Sequence, residues 1–240
     1  RAGSLELKVN REAVTLVAPS SEFLSATIPQ PPALSDYITV FTDTRLRQQC
    51  DNCSQHNYFD TMDFENILIR YYGPMGTNQL DAERVFSYSF SQLTDILDQR
   101  TEPADPNRED NLRRSQWVVF NLLNEDPSLP ESRALKRLLS ERLDLLREKN
   151  VIVFSYDVPY YLDSTDLANI SAYYVLYNNT KSAMDIAARV FMRETIASGS
   201  LPVSIGAVDY QLGTITAPNP SQVIQIKLLT PQQPDTTETS

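Results

Sequence analysis

The chain has little of what catalytic and cofactor motifs are usually built from. Among 240 residues there are one histidine, two cysteines, one tryptophan and six glycines. His56 is therefore the only imidazole that could serve as a base for a nucleophile, and it lies in a polar stretch. There is no G-x-S-x-G elbow, so a hydrolase triad has no anchor. There is no G-x-G-x-x-G and no phosphate loop, and six glycines leave little material for a backbone phosphate cradle. No cofactor is expected. No apolar run reaches the roughly 18 residues that span a bilayer. No charged-then-apolar start resembles a signal peptide. Positive charge is also short. Lys and Arg number 21 against 31 Asp and Glu, a formal net charge of −10. That argues against nucleic acid, whose phosphates demand a surplus of cations, and against an anionic membrane surface.

What remains fits a globular core. Hydrophobic residues make up 41% and charged residues 22% of the chain. Tyr37-Ile38-Thr39-Val40-Phe41-Thr42, Trp117-Val118-Val119-Phe120, Val151-Ile152-Val153-Phe154-Ser155 and Tyr173-Tyr174-Val175-Leu176-Tyr177 are near-continuous apolar runs. Such runs suit strands buried on both faces, the habit of parallel sheets. Phe86-Ser87-Tyr88 reads as a further short strand. Pro202–Ile205 and Val223–Leu228 read as edge or terminal strands.

Between them lie helical periodicities. Phe64, Ile67, Leu68 and Tyr71 form one stripe, with Gly73 placed to close it in a left-handed conformation. Ser89 with Gln92, Ser128 with Glu131, and Ser182 with Asp185 have capping-box spacing. The alternation predicts an α/β fold: an open, mostly parallel sheet with helices on both faces, a three-layer α/β/α sandwich. Residues 1–17 read as a connector, 18–36 as a Pro/Ser-rich linker, 37–230 as one α/β domain and 231–240 as a disordered tail. The acid-rich stretch Thr101–Asn111 reads as a solvated loop. The start at Arg1, with no Met, reads as that of an excised or processed form, leaving open a bacterial cytoplasmic or a secreted parent.

In open α/β sheets, ligand-facing groups gather at the carboxyl ends of strands. That rule selects Asp43 and Arg45, then Asn121 and Asn124, then Tyr156, Asp157 and Tyr160, and then Asn178 and Asn179. Asp43, Arg45, Asp157 and Tyr160 are the substrate-binding candidates. Asp43 and Asp157 would share a crevice if their strands were neighbours. Asp-x-Arg at a strand end can hold a carboxylate or sugar hydroxyls, or form an ion pair within its own loop. Exposed members of Tyr71-Tyr72, Tyr160-Tyr161 and Tyr173-Tyr174 would stack on sugar rings, and buried members would pack in the core. Cys50, Cys53 and His56 lie within seven residues and offer three of the four ligands of a zinc site. A disulfide, free thiols or a redox pair are the other readings. Asn52, Asn169 and Asn178 open glycosylation-acceptor triplets.

The last third carries a more specific signal. Val151 to Tyr160 is followed by Tyr173-Tyr174-Val175-Leu176-Tyr177, the helix from Ser182 to Glu194, and Ala197-Ser198-Gly199-Ser200-Leu201-Pro202-Val203-Ser204-Ile205. Near the start stands Asn10-Arg11-Glu12-Ala13-Val14-Thr15-Leu16-Val17. Together these resemble the C-terminal α/β domain of family 3 glycoside hydrolases, from its "arkSvTLv" lead-in to its closing "sGkLPV" segment. Ser200 stands for the usual Lys, and Met192-Arg193-Glu194 for a glycine-containing "fGe". The resemblance implies hydrolysis of terminal β-linked sugars by a parent of β-N-acetylhexosaminidase or β-glucosidase type. It implies a nucleophilic Asp on an upstream (β/α)8 barrel, which would be the partner of this domain. No "KHFPGHG"-type motif is present, and no catalytic residue carries over. Two other readings stand beside it: a stand-alone carbohydrate or small-ligand binding domain, and an acidic domain that recruits a basic partner.

Overall fold

The structure, a computed structural model, describes residues 2–48, 50, 52–100 and 106–208. In chain order the elements are α1 (Ala2–Ala13), β1 (Thr15–Ala18), α2 (Ser21–Thr27), β2 (Ile38–Thr42), β3 (Leu46–Arg47), β4 (His56–Asn57), α3 (Asp63–Tyr72) and β5 (Val85–Ser89). Then come α4 (Phe90–Leu97), α5 (Arg108–Arg114), β6 (Trp117–Leu122), α6 (Ala134–Glu141), β7 (Asn150–Ser155), α7 (Ser164–Leu167), β8 (Ala172–Val175) and α8 (Lys181–Phe191). The main sheet has the order β1-β8-β7-β6-β2-β5. All its pairs are parallel except β1 with β8. The short strands β3 and β4 form a separate antiparallel hairpin.

The apolar runs follow from burial on two faces. Val40, Val119, Phe154 and Tyr174 point into one core with Phe64 and Leu68 of α3 and Ile186 and Val190 of α8. Their neighbours Phe41, Val118, Val153 and Tyr173 point into the other, with Leu93 of α4 and Leu135 and Leu138 of α6. Successive strand residues alternate between faces, so a sheet covered on both sides needs apolar side chains at almost every position. This is the three-layer α/β/α arrangement that the sequence predicts.

The amino-terminal segment belongs to the same body. Thr15 and Leu16 pair with Val175 and Tyr174 at the sheet edge. Asn10 bonds Ser182 at 3.2 Å and receives Asn178 at 2.8 Å, fastening α1 to the start of α8. Gly199 is needed here: its N–H bonds the Val14 carbonyl at 2.9 Å, and a Cβ would lie 2.3 Å from the Ala13 carbonyl oxygen. The stretch read as a linker holds α2, opened by Ser20, whose hydroxyl accepts the Phe23 N–H.

Several local expectations are corrected. Gly73 ends α3 with φ −77° and ψ −171°, an extended rather than a left-handed residue. The Ser89–Gln92 capping box is present on α4. Ser128 caps nothing, because its hydroxyl turns to Asp126 at 2.6 Å. Thr180, not Ser182, caps α8. The stretch from Arg108 to Asn111, read as loop, opens α5. Pro202–Ile205 forms no strand, and Val223–Leu228 and the tail lie outside the described residues. No helix of the described residues is long and apolar enough to cross a membrane.

Phe120 is fully buried at the sheet centre, its ring stacked on Phe41 with centroids 5.4 Å apart. Phe120→Ala is predicted to cost about 3–5 kcal/mol of unfolding free energy. Urea denaturation monitored by circular dichroism measures it, and a loss below about 1 kcal/mol contradicts this packing.

Candidate functional site

Counting only the parallel strands, the order reads second, first, third, fourth, fifth. The chain leaves β2 for one side and β6 for the other, so the switch point lies between their carboxyl ends. There β2 delivers Asp43 and Arg45, and β6 delivers Asn121 and Asn124. The four residues are joined to one another. Asp43 is 2% exposed, and its N–H bonds the Asn121 carbonyl at 2.9 Å. Arg45 grips both carboxylate oxygens of Asp43, with Nη2 at 2.5 Å and Nε at 3.2 Å. The remaining guanidinium donors reach the Asn124 side-chain oxygen at 2.9 Å and its carbonyl at 2.5 Å. Asp43 and Arg45 thus satisfy each other, as the reading of an ion pair within the loop has it.

Next to this pair Tyr156 is buried at the end of β7. Its hydroxyl donates to the Asn121 side-chain oxygen at 2.8 Å. Phe59, which follows β4, packs on it with ring centroids 4.6 Å apart. Burial, more than the nearby Asp63, pushes the Tyr156 phenol well above its ordinary range. Burial likewise raises Tyr161, helped by Asp43. Both phenols stay protonated near neutrality, so they act as hydrogen-bonding posts and not as bases. The aromatic pair Tyr58-Phe59 closing the largely polar stretch from Arg45 to Asp60 is the sequence signal that could have found Phe59.

Asp157 and Tyr160 behave differently. β6 separates β2 from β7, so Asp43 and Asp157 do not sit on neighbouring strands, and their shared crevice is not formed that way. Asp157 is half-buried and makes no hydrogen bond or ion pair within the described residues. Tyr160 is 56% exposed. These two candidates are open to a ligand, whereas Asp43 and Arg45 are engaged. Asn178 is drawn away to Asn10. Asp185, read as part of a cap, instead receives Tyr71 at 2.8 Å and Arg189 at 2.7 Å, tying α3 to α8.

The metal reading is corrected. Cys50 and Cys53 are joined as a disulfide in the turn between β3 and β4, which leaves no thiolate pair beside the exposed His56. Nor do they stand at a helix start, the setting of a redox dithiol. Among the described residues no three His, Cys, Asp or Glu side chains gather as a metal site would need.

No protein-family model matches the sequence, and no curated protein is detectably similar to it. Solved structures that share this fold include family 3 glycosidases. A fungal multi-domain family 3 β-N-acetylglucosaminidase is 19% identical with a TM-score of 0.52, over 86% of this chain and 19% of its own. A family 3 β-N-acetylglucosaminidase from Paenibacillus sp. is 15% identical with a TM-score of 0.50, over 83% of this chain and 32% of its own. β-Glucosidase 3B from Thermotoga neapolitana is 14% identical with a TM-score of 0.50, over 91% of this chain and 32% of its own. The chain thus spans a fifth to a third of these enzymes. At these identities the likeness is one of fold, and at that level it bears out the resemblance seen in the sequence.

Arg45→Ala would leave the Asp43 carboxylate buried without a counter-charge. We predict a loss of about 3–5 kcal/mol in stability, with most of it regained in the Asp43→Asn/Arg45→Met double variant. Chemical denaturation of the three proteins measures both effects. Equal, small losses in single and double variants would contradict the buried pair.

Proposed function

We propose that this chain is the C-terminal α/β domain of a family 3 β-glycosidase of β-N-acetylhexosaminidase type. In this reading it packs on a catalytic barrel and shapes the rim of the sugar pocket, and the parent hydrolyses terminal β-linked sugars. One observation carries the reading: more than four-fifths of the chain superposes on a minor part of larger enzymes of that family.

The carboxyl-end surface supports it. Leu46 (59% exposed), Met62 (44%), Val158 (39%) and Tyr160 (56%) all stand on the segments that follow β2 or β7. On this reading a barrel packed on these segments would cover them. The same end offers little catalytic equipment. A retaining glycosidase needs two carboxyl groups about 5–5.5 Å apart. Asp43 is held by Arg45, Glu125 by Arg133 and Lys136, and Asp126 by Ser128. Asp60 and Asp163 are likewise engaged, by Asn57 and by the first turn of α7. Asp157 and Glu131, the latter in the turn ahead of α6, are the carboxylates left open among the described residues of these strand-end loops. On this reading the nucleophile comes from the barrel. Asp157 and Tyr160 are then the residues of this domain placed to reach a sugar at the shared rim.

The chain alone is predicted to release no chromophore from p-nitrophenyl N-acetyl-β-glucosaminide or β-glucoside, while the intact protein does. In the intact protein Asp157→Asn and Tyr160→Ala are predicted to lower kcat/KM about tenfold, the worth of one hydrogen bond or one ring contact at a rim. Turnover by the isolated chain at ordinary enzyme rates, or an intact protein inactive on every β-glycoside, would overturn the proposal.

A further inference from the structure

The opposite end of the sheet holds a cleft of about 390 Å³. Because β1 runs antiparallel to β8, its last residue Ala18 lies beside Tyr173, at the amino end of β8. The chain then turns into α2, which lays Phe23 and Ile28 along one side of the cleft. The other side is built from Asn150 at the start of β7 and from Leu167, Ile170 and Ser171 ahead of β8. The volume falls in the range of small-ligand sites, about 300–1,000 Å³.

The lining has a particular chemistry. None of its residues is charged, which selects a neutral ligand. Phe23 is 60% exposed, so its ring presents a face that none of the described residues covers. Asn150 is half-buried, and its side-chain amide makes no hydrogen bond within the described residues. It offers two donors and an acceptor. Ser171 accepts the Val151 N–H at 3.0 Å, which leaves its own hydroxyl hydrogen free to donate. An uncovered aromatic ring with unused amide and hydroxyl groups suits a molecule with one apolar face and a polar edge. A pyranose is such a molecule, with axial C–H groups on its face and hydroxyls around its rim.

We propose that this cleft is a second sugar-binding site. It takes one pyranose unit of a neutral β-linked oligosaccharide, stacked on Phe23 and hydrogen-bonded by Asn150 and Ser171. The choice of sugar as ligand rests on the glycosidase reading above, but the site lies at the end of the sheet opposite to the proposed barrel face. It would therefore stay open in the assembled enzyme and hold a neighbouring part of the substrate chain while the catalytic pocket works on its terminus.

The test uses the intact protein, with its catalytic pocket filled by a tight iminosugar inhibitor. Calorimetric titration with N-acetylglucosamine oligomers and, separately, with cello-oligomers then reads the remaining site and which sugar it prefers. One residual site is expected. Phe23→Ala and Asn150→Ala should each weaken it about tenfold, as befits one ring or hydrogen-bond contact, and Phe23→Trp should retain it. Hydrolysis of a small chromogenic glycoside should be unchanged in all three. No residual binding of either oligomer series, or residual binding indifferent to both Phe23 and Asn150, would overturn the inference and leave the glycosidase reading intact. An intact protein that hydrolyses no β-glycoside would instead strike at that reading.

Discussion

The buried pair of Asp43 and Arg45 fixes the place where the sheet reverses its direction of growth. The carboxylate is almost fully covered, and the guanidinium spans from it to Asn124. Because the two asparagine partners come from the end of β6, the pair holds the loops after β2 and β6 in one register. In many open α/β sheets that gap is a ligand crevice. Here it is filled by protein groups that satisfy one another, and Tyr156 and Phe59 close its flank. Breaking such a pair on one side is costly because the surviving charge stays buried. The end of the sheet is thereby held as a firm surface, and the groups left free on it, Asp157 and Tyr160, stand at its margin.

On the glycosidase reading proposed above, that surface is where the domain would meet the catalytic barrel. With Asp43 held by Arg45, the switch point itself keeps no free carboxylate. The surface can supply contacts to a second body through Leu46, Val158 and Tyr160, and it can contribute a margin residue to a pocket formed between the two. The same end is also stiffened: Asn10 fastens α1 to Asn178 and Ser182, and β1 pairs along β8. The segment from α1 through β1 therefore acts as part of the α/β body and not as a loose tether to it.

The sheet was legible in the sequence because a strand covered on both faces must be apolar almost throughout. Runs such as Trp117–Phe120 and Val151–Phe154 meet that requirement at every position, which a half-solvated strand would not. Helix stripes were legible for the same reason of burial. Caps were less so, because Ser, Thr and Asp near a helix start compete: Thr180 took the cap read as Ser182's, and Asp185 was recruited by Tyr71 and Arg189 instead. Strand-end candidates were found by rule, yet their fates diverged. Asp43 had a cation two residues away, whereas Asp157 is followed by Val158-Pro159 and meets none. The edge strand β1 was hidden because so short a segment carries too little periodicity to be told from a connector. Its partner β8 lies near the other end of the described chain, a pairing no local pattern reveals.

The central claim is that the carboxyl end of this sheet faces a catalytic partner. Hydrogen exchange followed by mass spectrometry, comparing the isolated chain with the intact protein, tests it directly. The account predicts slower exchange in the intact protein for the segments after β2 and β7, with α2 at the other end unaffected. Unchanged exchange at those segments, with protection appearing around α2 instead, would contradict it.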